Sequence, residues 1–481
     1  MEVYSDYKEV YMKLIEKATI LFSPEGFPTG ALRRLTVVMA LAFSYSCDGP
    51  TSHGAEGGAL DARGGPPPAL GASEVNASLL DELGSGGVAL RAAKNPQLKH
   101  YIVGFRGSAK EPRGDDQQHL QDAGVSERYY FESFRATSVF ATPEMIERLR
   151  QSPKVGWVDS APAGGGGVPQ SAPSLRSVRL SSAAGETTGW PWLAHGFDDA
   201  YNAGWWSSNS VRIAVIGDGI ECALAEITCG PGAAVVQGNP YVDDGSSHET
   251  AIASVIAAAV GNGIGIRGGA QWVSLSPILA TEPQGGLTCL NAAEAIDIAT
   301  SPWMINADIV NLSYVFPPGT SCMSLDSAVF GTVVNNAILV VSAGNYAVGE
   351  LYPPANSPYA IAVTAVTSSM VKWTDASWGS EMDFAAGGKN VPALNYYGSV
   401  FNAKGTSIAA PHVAAALALL WEQKIRLEGC APRRQEALDA LINTAVPPSQ
   451  PPFYQPYYGH GIIDVWGALQ SSWMTHPCLE W

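Results

Sequence analysis

The sequence has few basic residues and little charge of either sign. Lys and Arg account for 28 of the 481 residues against 44 Asp and Glu, the formal net charge is −16, and charged residues make up 15% of the chain. Sequence-independent binding to nucleic acid relies on a basic surface that releases counterions from the phosphates. The acidic balance therefore argues against a nucleic-acid partner.

Long hydrophobic runs are also missing. The longest run near the N-terminus covers residues 35–43, well short of the roughly 18–20 apolar residues that a membrane-spanning helix needs. It follows Arg33 and Arg34 and precedes a small-residue stretch, which is typical of a signal peptide. Because 32 mixed residues come before Arg33, we hypothesise that the real start codon lies downstream of Met1.

The predicted leader, 1–47, ends in a cysteine whose role has two interpretations. A Cys directly after a small residue resembles the lipid-attachment site of bacterial lipoproteins, although Ser44 stands where that pattern prefers Leu. An ordinary cleaved signal with an incidental Cys47 explains the same residues. Either interpretation predicts export, with the protein secreted or lipid-anchored at the cell envelope of a bacterium.

The cysteines form neither a CxxC pair nor a Cys/His cluster, so they do not indicate a metal site. Without Cys47, the set is Cys222, Cys229, Cys289, Cys322, Cys430 and Cys478. An even number of cysteines in an exported chain indicates disulfides, although six can pair in 15 ways. We predict a Cys222–Cys229 bond, because a short separation favours encounter.

Composition divides the rest of the chain into four segments. Residues 48–98 are rich in Gly, Ala and Pro with few large apolar residues, so we expect a flexible tether. Residues 99–160 predict a small α+β domain of β-α-β form, whose helix begins with Thr142 as N-cap and Pro143 at the first position. A Gly/Pro/Ser-rich linker over 161–189 leads to a large domain over 190–475.

The large domain alternates continuous apolar strands with helices. This pattern predicts an α/β fold with a doubly wound, mostly parallel sheet that is covered on both faces. Strands are expected at 211–216, 273–275, 309–312, 338–341 and 360–366, and helices at 251–260, 291–299 and 409–421. In such folds reactive groups collect at the carboxyl ends of the strands.

Four short motifs combine a reactive side chain with small or turn-forming neighbours. They are GDG at 217–219, HET at 248–250, SAGN at 342–345 and GTSIAAPH at 405–412. Each motif alone has an ordinary structural explanation as a turn or a helix start. The HE pair is not a zinc-protease motif, because no second His follows four residues after the first.

Together, the four motifs hold every group that acyl transfer through an activated hydroxyl requires. The reaction needs a nucleophile, a base, an acid that orients the base and a donor for the oxyanion. Ser407, His248, an Asp and Asn345 supply one of each. No GxSxG sequence surrounds Ser407, which argues against a lipase or esterase.

Residues 190–470 resemble the catalytic domain of the subtilisin-like (subtilase) serine proteases. The segment GTSIAAPHVA at 405–414 matches the nucleophile motif of that family almost letter for letter, and the chain order Asp, His, Ser is the family's order. His248 follows Asp218 by 30 positions and precedes Ser407 by 159, both typical of the family. The resemblance implies a serine endopeptidase.

The resemblance also implies a role for each residue in the hydrolysis of protein or peptide substrates. Ser407 would attack the carbonyl to form an acyl-enzyme, and His248 would move the proton. Asp218 would orient His248, and Asn345 would donate to the oxyanion. We expect a monomer that requires no cofactor; calcium is implied by the family, but no carboxylate loop marks its ligands.

Residues 99–160 are similar to the inhibitory propeptide of subtilases, which implies a zymogen cut in the linker between about 160 and 188. The same resemblance implies the substrate-binding residues. Two walls of the cleft would be formed by Ser313, Tyr314 and Val315 on one side and Gly285, Gly286 and Leu287 on the other, with Gly344 beside the oxyanion donor. Val315 and Phe316 replace two glycines of the family and would narrow the specificity pocket.

The acid motif departs from the family pattern. Gly217 occupies the position where subtilases have their Asp, and Asp218 comes one place later. Neighbouring side chains on a strand point to opposite faces, so Asp218 reaches His248 only if the strand end turns. We predict this turn, because glycines flank Asp218. Glu249 replaces a Gly of the family; it would raise the pKa of His248 or substitute for the displaced acid.

These departures leave a second function open. A pseudoprotease would keep the fold as a peptide-binding or regulatory module without hydrolysis. Gly217 and the bulky pocket rim motivate this alternative, whereas the intact Ser, His and Asn argue against it.

Overall fold

The computed structural model describes residues 97–107, 113–131, 133–160, 168–169, 185–282, 286–449 and 455–471. The predicted leader with Cys47, nearly all of the tether, most of the linker, Gly285 and Cys478 lie outside the described residues.

The small domain is an antiparallel sheet with two helices. Its elements are β1 (Lys99–Phe105), α1 (Gly114–Asp122), β2 (Glu127–Phe131), β3 (Ala136–Ala141), α2 (Pro143–Arg150) and β4 (Val155–Ser160). The strand order is β2-β3-β1-β4. Helix α2 begins as predicted, because the Thr142 side chain accepts a hydrogen bond from the Met145 N–H.

The predicted β-α-β unit thus contains one further helix and one further strand, α1 and β2. The sequence of α1, GDDQQHLQD, has no apolar periodicity, and Leu120 is its one large buried apolar residue. The other buried residue, Asp116, accepts from Arg135 at 2.7 and 2.8 Å. An ion pair and tertiary packing hold this helix in place, and neither was visible as a pattern in the sequence.

The large domain contains the remaining elements. Its strands, with one linker strand before them, are β5 (Val168–Pro169), β6 (Arg212–Gly217), β7 (Ala233–Ala234), β8 (Ser274–Leu279), β9 (Thr281–Glu282), β10 (Gly286–Leu287), β11 (Ile309–Leu312), β12 (Tyr314–Val315), β13 (Ile338–Ser342), β14 (Ile361–Val366), β15 (Met382–Gly387), β16 (Lys389–Leu394) and β17 (Val400–Lys404). Its helices are α3 (Trp190–Ala194), α4 (Phe197–Asn202), α5 (His248–Ala257), α6 (Cys289–Thr300), α7 (Met323–Val334), α8 (Thr406–Glu428), α9 (Arg434–Thr444), α10 (Gln455–Tyr458) and α11 (Val465–Gln470).

A seven-stranded parallel sheet forms the centre of this domain, in the order β15-β14-β13-β11-β6-β8-β7. Side chains alternate between its faces, so Ile213 and Val215 of β6 join one apolar cluster with α5 and α8. Ala214 and Ile216 join a second cluster with α6 and α7. The sheet is therefore buried on both faces, and the predicted doubly wound α/β fold is confirmed.

Two disulfides join described residues of the large domain, one packed against the first apolar cluster and one buried in the second. Cys222 pairs with Cys229, as predicted from their short separation. Cys289, the first residue of α6, pairs with Cys322, which precedes α7. Within the described ranges, no helix is both long and apolar enough to cross a bilayer.

Candidate active site

The loop that precedes α5 fixes the position of His248, the first residue of that helix. Asp243 anchors the loop because its carboxylate accepts from the Ser247 N–H at 2.9 Å and from the Thr250 hydroxyl. Ser247 itself adopts a left-handed conformation with φ 66°. The His248 N–H then donates to the Ser246 hydroxyl at 3.0 Å. Hydrogen bonds thus fix the backbone immediately before and after His248, and with it the position of the imidazole.

Glu249 is the acid that contacts His248. Nδ1 of His248 lies 2.8 Å from Oε1 of Glu249, and both side chains are buried. The other oxygen, Oε2, accepts from the backbone N–H of Asp218 at 3.1 Å. The second ring nitrogen of His248, Nε2, is buried and has no hydrogen-bond partner in the described part of the chain.

Asp218 lies close to this pair, but its carboxylate makes no hydrogen bond to the imidazole in the described residues. Its carboxylate accepts from the Ser246 hydroxyl and from the Glu249 N–H at 3.4 Å. The chain turns here as predicted, since Gly219 has φ 96°. The turn nevertheless brings Asp218 to the loop backbone, and the hydrogen bond to His248 that we predicted for Asp218 is made by Glu249.

Burial and neighbouring charge shift the pKa of all three groups. Burial raises the pKa of Glu249 to about 7. Burial and the Glu249 charge raise the pKa of Asp218 well above its ordinary value. Burial lowers the pKa of His248. A neutral imidazole beside a carboxylate is the form that a general base needs. The lowered pKa of His248 favours the neutral imidazole, whereas the raised pKa of Glu249 restricts its carboxylate to pH values above about 7.

Ser407 lies in the first turn of α8, where the helix dipole favours a developing negative charge. Its Oγ is 3.5 Å from the Ser313 carbonyl oxygen, and the Ser313 hydroxyl donates to the Ser407 carbonyl at 3.1 Å. The His248 ring packs edge-on against Tyr314, with 5.3 Å between centroids. Base and nucleophile therefore adjoin the same 313–314 segment, without a hydrogen bond between them in the described residues. Such bonds often tighten only with substrate.

Asn345 presents an unused amide next to the nucleophile. Its Oδ1 accepts from the Thr406 N–H at 2.9 Å and from the Thr406 hydroxyl at 3.0 Å. Its Nδ2 is buried and lacks a partner among the described residues. Gly344, with φ 104°, makes the turn that brings Asn345 to the start of α8. A buried donor without a partner is costly, so this amide is prepared for an oxygen that arrives with a ligand.

Two short strands border the site. Strand β12 carries Tyr314 and Val315, and strand β10 carries Gly286 and Leu287 on the side where we predicted the opposite wall. Strand β5 pairs antiparallel with β12, with Tyr314 opposite Pro169, and also lies beside β10. The predicted walls thus flank a strand of the chain itself. Phe316 is fully buried in the second apolar cluster, and narrowing of the specificity pocket stays a prediction.

The residues of this site do not fit the calcium that the family resemblance implies. In the described part of the chain, Asp218, His248 and Glu249 are the group of potential ligands whose atoms lie within 4.8 Å of one another. Calcium takes oxygen ligands, whereas this group includes an imidazole whose Nδ1 is hydrogen-bonded to Glu249. We therefore assign no calcium ligands.

A comparison with protein families decides the identity of this constellation. The model of the subtilase family matches residues 208–461, a range that contains His248, Asn345 and Ser407. The chain belongs to the subtilase family. It is thereby a serine-type peptide hydrolase with the fold predicted from its motifs.

Several curated subtilases are similar to the chain over most of their length. Subtilisin E of Bacillus subtilis (strain 168) is 28% identical over 390 residues, which cover 79% of this chain and 92% of that protein. Subtilisin of Bacillus pumilus is 31% identical over 272 residues, or 55% of this chain and 93% of that protein. An alkaline protease of Shouchella clausii is 27% identical over 362 residues, covering 73% and 88%.

Although Val315 and Phe316 depart from the family pattern at the predicted specificity pocket, the acid is the one among the catalytic groups that departs from it. The sequence contained two signals of this change, Gly217 in the place of the family's Asp and Glu249 in the place of a Gly. Read separately, each was an isolated departure. Their contact in the fold relates the two.

Proposed function

We propose that this subtilase is a serine endopeptidase that hydrolyses peptide bonds of proteins or peptides through an acyl-enzyme. The observation that carries the proposal is a pair of buried, unpartnered nitrogens: His248 Nε2, whose ring packs on the segment that Ser407 contacts, and Asn345 Nδ2, whose amide is bound to Thr406 next to Ser407. Attack on a carbonyl group requires a base that can accept the hydroxyl proton and a donor that can bind the oxyanion, and both must be free of other partners.

The reaction follows from these positions. Ser407 Oγ attacks the carbonyl carbon while His248 Nε2 accepts the hydroxyl proton. Asn345 Nδ2 donates to the oxyanion. The C–N bond then breaks, and His248 returns the proton to the leaving amine. Water then attacks the acyl ester by the same steps. The bond to Ser407 Oγ breaks, the carboxylic acid product is released, and free Ser407 is regenerated.

The small domain, residues 99–160, is proposed to be the inhibitory propeptide. It contacts both helices on one face of the sheet: the Tyr129 hydroxyl donates to Asp297 of α6 at 2.6 Å, and Asp159 accepts from the Ser324 N–H at the start of α7 at 2.7 Å. Arg128 forms a buried ion pair with Glu294 of α6 at 3.2 Å. Ile102 and Phe131 share an apolar cluster with the same helices.

The linker strand β5 supports inhibition in the manner of a substrate. It adds to β12 as an antiparallel strand, which is how extended peptides bind at the edge of a sheet. The chain that joins the two domains would thereby occupy the cleft until it is cut. Maturation is expected within 161–189, as the sequence predicted.

Export is proposed on two grounds. The disulfides Cys222–Cys229 and Cys289–Cys322 persist in oxidising compartments. The sequence of 1–47 has the basic and apolar order of a signal peptide. Lipid attachment at Cys47 stays a prediction, as does the monomeric state.

Intact mass of the full chain beside Ser407→Ala tests the proposal. The wild type should lose its N-terminal part up to the linker and react with a serine-directed fluorophosphonate, whereas the variant stays uncut and unlabelled. A folded wild type that shows neither reaction would contradict the proposal and favour the pseudoprotease. That alternative rested on the missing acid at Gly217 and on the bulky pocket rim, and of these the first is answered by Glu249, which supplies a carboxylate to the base.

A further inference from the structure

We propose that the orienting acid of this protease has moved from the strand to the helix, so that Glu249 positions His248 and Gly217 exists to make room for it. The inference rests on the proposed function and concerns the same site. Glu249 is a positioning residue here, because it acts on the substrate through His248.

Glu249 fills the space beside Gly217, the last residue of β6. A Cβ atom added at Gly217 would fall within the Glu249 carboxyl group. A subtilase with Asp at this position would project its side chain into the same volume. The carboxylate therefore stands where the family's carboxylate stands, but it arrives from the opposite element.

Hydrogen bonds fix the Glu249 carboxylate between His248 and Asp218. One oxygen bonds His248 Nδ1 at 2.8 Å, and the other accepts the Asp218 N–H at 3.1 Å. Both oxygens are thus used, which fixes the plane of the carboxylate and the imidazole that it contacts. The result leaves Nε2 without a partner and free to act on the nucleophile.

The other acidic residues around His248 hydrogen-bond groups other than the imidazole. Asp218 holds the Ser246 hydroxyl and the Glu249 N–H. Asp243 holds the Ser247 N–H and the Thr250 hydroxyl, and Asp244 accepts from the Ser246 N–H at 2.8 Å. All three carboxylates support backbone or hydroxyl groups of the loop and of the first turn of α5. Glu249 is the acid that hydrogen-bonds the imidazole, with Tyr314 packed against the ring.

The test compares Glu249→Gln with Asp218→Asn in the full chain. Cleavage within one molecule is first-order, so a self-cleavage rate constant that does not change with chain concentration reports turnover without a KM. Loss of the orienting acid costs serine proteases about 10⁴-fold in turnover, and we expect this loss for E249Q. We expect about tenfold or less for D218N, the value of one neutral hydrogen bond. The reverse ranking overturns the inference.

Rescue separates positioning from a merely structural role. Glu249→Gly should lose the acid, and Gly217→Asp alone should place two carboxylates in one volume. The double variant G217D/E249G restores the family arrangement and should regain at least about 100-fold over E249G, a part of the acid's contribution. A double variant no faster than E249G, while folded by circular dichroism, overturns the inference.

A spectroscopic readout does not depend on turnover. In a Ser407→Ala background, the His248 Nδ1–H should give a far-downfield proton resonance because it donates to a carboxylate. E249Q should move this resonance upfield, and D218N should leave it in place; the opposite result overturns the inference. If the wild type neither cleaves itself nor labels with fluorophosphonate, the proposed function itself fails. If it does both and E249Q matches it, only the moved acid fails.

Discussion

The two halves of the active site differ in how they are built. The nucleophile half, at the start of α8, keeps the family motif, and backbone groups define it: the Thr406 N–H bonds Asn345, and Gly405 has φ 138°. The acid half, between β6 and α5, has exchanged residues at two positions. A nucleophile at a helix start depends on backbone geometry that side chains cannot relocate. An acid needs only a carboxylate at one point in space, and either neighbouring element can supply it.

The largest effect in this comparison is expected from the addition of a single methyl group at Gly217. Gly217→Ala should push the Glu249 carboxyl away from His248, because the added Cβ falls within it. We expect turnover to fall by about 10³–10⁴, near the cost of losing the acid. The measurement is the self-cleavage rate of the full chain. In an E249G background the same Ala meets no carboxyl and should add no further loss; an equal loss in both backgrounds would contradict the steric explanation.

In the nucleophile half, we expect a substitution to lower turnover less than loss of the acid does, and we expect no neighbouring residue to replace the lost group. Asn345→Ala removes the unpartnered Nδ2, and loss of one oxyanion donor costs about 10²–10³ in turnover. Asn345→Asp keeps an oxygen for the Thr406 N–H but lacks the amide donor, so it should lose as much. An Asp variant close to the wild type would show that Asn345 matters through Thr406 and not through the oxyanion.

The acid half should determine the pH dependence. Glu249 must be ionised to stabilise the imidazolium, and burial raises its pKa to about 7. The pKa of His248 is lowered, so as the pH rises His248 loses its proton first and Glu249 loses its proton second. Turnover should therefore fall about tenfold per pH unit as the pH drops below about 7. In E249Q the residual activity should keep its level to a lower pH. An unchanged profile in E249Q would assign the acid limb to His248.

The smallest expected effect is on stability. A carboxyl group whose pKa is raised on folding, here from 4.5 to about 7, favours the folded state less as the pH rises through that interval. The melting temperature of E249Q relative to the wild type should therefore increase between about pH 4.5 and 7, by about 1–2 °C for each kcal/mol in a chain of this size. Both chains would carry Ser407→Ala to prevent autolysis. A difference that is constant with pH would mean that Glu249 is ionised at little cost.

The parallel strands and the nucleophile motif could be predicted because each is a local pattern. The continuous apolar run at 309–312 became β11 with the same bounds, and 338–341 became all but the last residue of β13. Helix α1 could not be predicted, since the Asp116–Arg135 ion pair and the packing of Leu120 hold it in place, and not apolar periodicity. Ser407, His248 and Asn345 followed from motifs.

The moved acid was visible in the sequence as two departures without a relation between them. Gly217 and Glu249 are 32 positions apart, and the relation is a shared volume. Side-chain direction decided the matter. Asp218 was the nearest acid in sequence to the expected position, but the turn at Gly219 takes its carboxylate to the loop, as its bonds to Ser246 and Glu249 record.

The adjacency of His248 and Glu249 has a mechanical consequence. In the family arrangement, base and acid belong to different elements, so any sliding of the helix against the strand would separate them. Here they are consecutive residues in the first turn of α5 and move as one body. Small rigid shifts of that helix leave their hydrogen bond intact, whereas fraying of its first turn removes base and acid together. The activity of this protease should then follow the amide hydrogen exchange of a single helical turn.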